Sequence, residues 1–200
     1  MKRALFALLL LPAIFSFTSR DTNSTELFRL KQKGKDASEF CKKNNYNPDF
    51  CILIDMAQHS GKNRAFIWDM KKSEIIASSL CAHGCGTNPW SGTYTKEKPV
   101  FSNVPDSHCT SLGKYKIGKR GYSAWGINVN YLLHGLESTN NNALKREIVL
   151  HSWQDVPETE VYPAGTPEGW GCPAVANNFM KIADQKIKAS GKPVLLWIFN

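Results

Sequence analysis

Two hundred residues, 42% hydrophobic and 21% charged, have room for one buried core and exclude a long disordered tail or a collagen-like repeat. Fourteen Gly, ten Pro and six Trp suit a loop-rich, strand-based domain better than a coiled coil or a helix bundle. A formal charge of +8 invites an anionic partner, with nucleic acid the first class to weigh.

The chain starts with the basic head Met1-Lys2-Arg3 and twelve mostly apolar residues, Ala4 to Phe15, a pattern that predicts a secretory signal peptide over residues 1–19. Twelve residues fall short of the roughly 20 needed to span a bilayer, so no membrane span is expected in the mature chain. Removing the segment leaves 23 basic against 17 acidic residues, a mature charge of +6. Export to the periplasm or cell envelope argues against nucleic acid and in favour of anionic envelope polymers. Residues 20–45 are polar and Lys-rich, with Leu27, Phe28 and Leu30 too sparse for a core, and predict a linker or one or two short helices. Residues 46–200 are expected to form one domain.

From Cys51 onward, short apolar runs alternate with turn residues. Ile52-Leu53-Ile54, Ala65 to Trp68, Ile75-Ile76-Ala77 and Ile148-Val149-Leu150 predict strands, and Ser60 to Asn63 and Asp69 to Ser73 predict turns between them. The stretch from Gly84 to Gly113, rich in Ser, Pro, Asn and Thr, predicts long loops. A helix is expected directly after Cys172, with Pro173 at its first position, Val175, Phe179, Ile182, Ala183 and Ile187 at helical spacing, and Gly191 as a left-handed cap. Val194 to Phe199 predicts a closing strand covered on both faces.

Cys172 is the residue with the clearest chemistry, because a helix starting at Pro173 would stabilise a thiolate through its positive end. Gly169 and Gly171 allow a tight turn that presents backbone N–H groups to an oxyanion. His151 ends an apolar run, with Val149 on the same face, and would take the thiol proton to form a thiolate–imidazolium pair. Trp170 adjoins the nucleophile as a candidate cleft wall. This set needs no cofactor and no metal.

Several ordered blocks then resemble one family: Phe101-Ser102-Asn103-Val104, Ser111-Leu112-Gly113-Lys114-Tyr115, His134-Gly135-Leu136-Glu137, Asn141-Asn142-Ala143 with Arg146, Ile148 to His151, and Trp170-Gly171-Cys172-Pro173-Ala174. From about Ile52 to Phe199 the chain resembles the murein L,D-transpeptidase catalytic-domain family, in a Trp-Gly-Cys-Pro-Ala form. Seventeen residues separate His151 from Gly169, within the family's spacing, although Gly169 stands in place of a hydroxyl residue and Trp170 in place of a second His. The resemblance implies a mainly β, sandwich-like fold with long loops and one helix after the catalytic cysteine. It implies Cys172 as nucleophile, His151 as base, Gly171 beside the oxyanion and Trp170 at the substrate. It further implies an exported transferase that attacks an L-configured third residue of peptidoglycan stem peptides, releases D-alanine and transfers to an amine. An L,D-carboxypeptidase using water and an inactive envelope-binding module are the competing readings.

Five further cysteines allow a Cys41–Cys51 bridge and a Cys81–Cys85 bridge, or a fully reduced set. A different class of reading groups Cys81, His83, Cys85, His108 and Cys109 as soft ligands for Zn²⁺.

Overall fold

A computed structural model describes residues 19–87 and 98–200, so all but the last residue of the expected signal segment, 1–19, lies outside the described residues. Ser19–Lys43 form one helix, α1, where a linker or short helices were expected. Its packed stripe is Leu30, Gly34, Ala37 and Cys41, a spacing of four, three and four residues that holds one helical face to the sheet. Close approach is what this stripe supplies, because a Cβ at Gly34 would overlap the Trp68 indole. Burying Leu30 contributes about 2 kcal/mol of apolar transfer energy.

Strand β1 (Phe50–Asp55) is buried along its whole length. Alternation explains this: Cys51 and Leu53 join the layer containing α1, Trp68 and Phe199, whereas Ile52 and Ile54 join the main core with Leu133, Phe179 and Leu196. Cys41 and Cys51 are free thiols in the first layer, and burial pushes Cys41 up to about 11. The Cys81–Cys85 bridge is likewise not formed.

β2 (Ala65–Asp69) and β3 (Glu74–Ser79) make the expected hairpin, its turn held by Asp69 Oδ1, which accepts the N–H groups of Lys71 (2.9 Å) and Lys72 (2.8 Å). β4 (Gly113–Tyr122) and β5 (Val129–Gly135) form an antiparallel pair not expected from sequence. β6 (Val149–Ser152), β7 (Ala174–Val175) and β8 (Leu195–Phe199) complete one sheet in the order β3-β2-β1-β8-β4-β5-β6-β7, with parallel pairing at β1/β8 and β6/β7. Its edges approach each other: Cys81, just past β3, bridges Val175, and the Ala82 N–H donates to the Ala174 carbonyl at 2.8 Å. The expected mainly β architecture is therefore, among the described residues, a nearly closed sheet with two helices. β8 is covered on both faces, as its sequence requires, with Leu195 toward α1 and Leu196 toward the main core.

Helix α2 (Asn177–Lys188) starts five residues after Cys172, because Ala174 and Val175 are taken into β7 first. Pro173 is therefore not a helical first position, and Cys172 does not stand at a helix end. Glu158 serves the α2 terminus from outside by accepting the Asn178 N–H at 3.1 Å. At the other end Ala189 is right-handed, and Gly191 does not adopt the left-handed conformation expected of a cap. Asp184 ties α2 to the sheet: burial pushes its carboxyl up, but bonds from Arg120 (2.7 Å), Tyr131 (2.7 Å) and Lys188 (3.2 Å) outweigh this and hold it at about 2. Among the described residues, no helix is long and apolar enough to cross a membrane.

Candidate active site

β6 and β7 run in parallel with His151 opposite Ala174, so the segment entering β7 passes the face that His151 presents. Alternation leaves Val149 and His151 half exposed there, while Leu150 and Ser152 are buried. Two residues before Ala174 is Cys172, and two before His151 is Val149, whose N–H donates to Cys172 Sγ at 3.4 Å. Thiol and imidazole open together on a cleft of about 550 Å³ walled by Tyr122, Trp125, Val149 and Trp170. Among the described residues, no Lys, Arg, Asp or Glu side chain lines it.

His151 Nδ1 is 3.0 Å from the Ser152 carbonyl oxygen. A carbonyl only accepts, so Nδ1 carries the ring proton and Nε2 keeps the lone pair a base needs. Burial lowers the His151 pKa, opposed in part by the Ser152 bond. Burial raises the Cys172 pKa, opposed by the Val149 N–H and the Arg146 charge and reinforced by Glu147. The resting site thus differs from the expected thiolate–imidazolium pair: it holds a thiol, directed at the Glu147 carbonyl (3.9 Å), beside a neutral imidazole, with no hydrogen bond between the two. Because α2 begins downstream, the field expected from a helix end is absent at the sulfur.

A neutral His151 sets a pH dependence. Burial disfavours the imidazolium, so the free base persists below the ordinary 6.5, and activity is expected to fall on acidification with a midpoint below pH 6.5. An acid limb centred above 6.5 in a pH–rate series contradicts this assignment.

The segment before Cys172 is held at every residue. Gly171 has φ +99°, and a Cβ there would strike the Cys109 carbonyl oxygen and lie 3.2 Å from Arg146 Nη2. Arg146 fixes that loop in turn, donating to the Cys109 carbonyl, the Ser102 carbonyl (3.0 Å) and Ser111 Oγ (2.6 Å). Trp170 is 59% exposed and stacks on His108 with centroids 5.0 Å apart. The Gly169 N–H is taken by the His83 carbonyl at 2.8 Å. Among the described residues, the N–H groups of Gly171 and Cys172 donate to no protein acceptor; Cys172 lines the cleft, and Gly171 is buried directly behind it in sequence.

Other residues singled out from sequence are placed elsewhere. His134 lies over Gly118 and outside the cleft lining, and Tyr115 is a core residue whose hydroxyl donates to the Ser111 carbonyl at 2.7 Å. The Zn²⁺ grouping is not assembled: Cys81 is in the main core, His83 contacts Arg64 and Glu168, and among the described residues no three His, Cys, Asp or Glu side chains are placed to hold a metal. Sequence reasoning missed Tyr122 and Trp125 as cleft walls, since the β4–β5 connection carrying Trp125 was not recognised as a turn.

A nearly closed sheet thus presents a cysteine and a histidine on one cleft. The chain belongs to the L,D-transpeptidase catalytic domain family, whose model matches residues 20–197, and so to a family with a peptidoglycan-related transpeptidase role. No curated protein matches it. Among solved structures it is similar to the helical cell shape determining protein Pgp2 from Campylobacter jejuni, at 12% identity and a TM-score of 0.46, covering 74% of this chain and 46% of that one. A lysine-to-alanine mutant of the same protein gives 12% identity and a TM-score of 0.47, covering 84% and 55%. The chain thus spans about half the length of that protein.

Proposed function

We propose that the protein is an exported murein L,D-transpeptidase of the Trp-Gly-Cys-Pro-Ala form, acting on peptidoglycan stem peptides. The observation that carries this reading is the shared cleft of Cys172 and His151, with Nδ1 occupied by the Ser152 carbonyl and Nε2 left as the base. His151 Nε2 takes the Cys172 proton as Sγ attacks the carbonyl of the L-configured third residue. The resulting oxyanion is met by the Gly171 and Cys172 N–H groups, donors of a kind worth about 3 kcal/mol each in acyl transfer. The imidazolium then protonates the departing D-alanine amine as the C–N bond breaks, leaving a thioester. An acceptor amine attacks the thioester, gives its proton through His151 and restores the thiol. Trp170 and Trp125 offer ring faces to the stem peptide along the cleft walls. No step calls for a cofactor.

Incubating the purified protein with tetrapeptide-stem muropeptides and weighing the products tests this reading. Cross-linked dimers are expected. Loss of D-alanine without cross-linking makes the protein an L,D-carboxypeptidase, with water as acceptor. Unaltered muropeptides overturn the enzymatic reading in favour of an envelope-binding module.

A further inference from the structure

A buried chain of polar groups takes no part in the transfer just described, yet it ends one residue before Gly169-Trp170-Gly171-Cys172. Arg64 has no exposed surface, and its guanidinium donates to the Cys81 carbonyl, the Gln58 carbonyl (3.2 Å) and His83 Nδ1 (2.9 Å). A guanidinium has donors only, so His83 Nδ1 accepts and the ring proton is on Nε2, 3.2 Å from Glu168 Oε1. The direction of the first link is fixed, Arg64 donating and His83 accepting, and the protonated Nε2 of His83 lies in close polar contact with Glu168 Oε1. The backbone doubles the link, since the Gly169 N–H donates to the His83 carbonyl and the Cys85 N–H to the Gly169 carbonyl, both at 2.8 Å. Burial, then the Arg64 charge, lowers His83 to about 3, which keeps it neutral near pH 7.

We infer that His83 is a positioning residue for the nucleophile segment: held by Arg64, it clamps Glu168 and Gly169 and thereby sets the aim of the Gly171 and Cys172 N–H groups. This rests on the acyl-transfer reading of the cleft and extends it to a group outside the cleft lining. The arrangement separates two kinds of chemistry at one sulfur. Acyl transfer places negative charge on a carbonyl oxygen, which those N–H groups must meet at about 2.7–3.1 Å. Alkylation of Cys172 by iodoacetamide forms a C–S bond and expels iodide without creating an oxyanion. Loosening the clamp should slow the first reaction and spare the second.

The test measures kcat and KM for muropeptide product formation, and the rate of Cys172 alkylation by iodoacetamide, in wild type and in His83→Ala, His83→Gln and Glu168→Ala. His83→Ala is expected to lower kcat at least about 10-fold, with KM and alkylation each within about 3-fold, since small displacements of positioned groups are costly to turnover. His83→Gln recovers most of the loss, because its amide oxygen accepts from Arg64 and its NH₂ donates to Glu168. Glu168→Ala repeats the kcat loss in milder form. Unchanged kcat in His83→Ala and Glu168→Ala, alkylation falling in step with kcat, or a Gln variant no better than Ala each overturn the inference. If His83→Ala does not fold, Glu168→Ala and His83→Gln decide: reduced kcat with preserved alkylation in Glu168→Ala and near-wild-type kcat in His83→Gln support it, and any other pattern overturns it. A wild-type protein that is alkylated at Cys172 yet forms no product overturns the acyl-transfer reading together with this inference, whereas an active wild type with unresponsive variants overturns the inference alone.

Discussion

Replacing Cys172 by alanine is expected to reduce muropeptide conversion to background while leaving the protein folded. The sulfur packs at the margin of the main core and accepts a single weak bond from the Val149 N–H, so its removal costs about 1 kcal/mol. For a chain of this size that is a fall of about 2–4 °C in Tm. The catalytic effect is of another order, because without the thiol no thioester forms, and loss of a comparable nucleophile lowers turnover by about 10⁶-fold. Product mass analysis beside a thermal melt separates the two quantities. Conversion persisting near the wild-type rate contradicts Cys172 as the nucleophile, and a collapse of the melt shows a structural role for the sulfur instead.

The parts of this molecule legible in its sequence are those whose signal is local. Val194 to Phe199 is apolar at every position because both faces of β8 are covered, and Asp69 closes its own turn with its side chain. Cys172 stood out as the residue before an expected helix and His151 as the end of an apolar run, and although that helix starts later, the parallel register of β6 and β7 brings the two to a shared face. The missed features depend on distant partners. The α1 stripe reads as weak because Gly34, Ala37 and Cys41 are small, and its value comes from Trp68, which lies far along the chain and takes the space a side chain at Gly34 would fill. β4 reads as polar because Lys114 and Lys116 alternate with Tyr115 and Ile117, as a strand with one buried face requires. The helix start was displaced because Pro173 suits a first helical position in isolation, whereas pairing with β6 draws Ala174 and Val175 into the sheet. His83 drew attention as a metal ligand, and its actual tie to Arg64 and Glu168 joins three segments no local pattern connects.

The two glycines flanking Trp170 should respond very differently to the same substitution. Gly171→Ala places a side chain where φ is +99° and where the new Cβ meets the Cys109 carbonyl oxygen. That oxygen cannot retreat freely, since Arg146 holds it together with the Ser102 carbonyl and Ser111 Oγ. Backbone strain and the broken brace together are expected to cost about 2–4 kcal/mol, or on the order of 4–16 °C in Tm. Turnover is expected to fall at least about 100-fold, because the displaced turn moves both the sulfur and the N–H donors beside it. Gly169→Ala meets nothing within 4 Å and has no positive φ, so its stability is expected to stay within about 0.5 kcal/mol of wild type. Thermal melts of the two variants, with muropeptide conversion measured for Gly171→Ala, give the comparison. Equal destabilisation at both positions contradicts the account, because only at Gly171 do the left-handed backbone and the Arg146-held carbonyl leave no room for a methyl group.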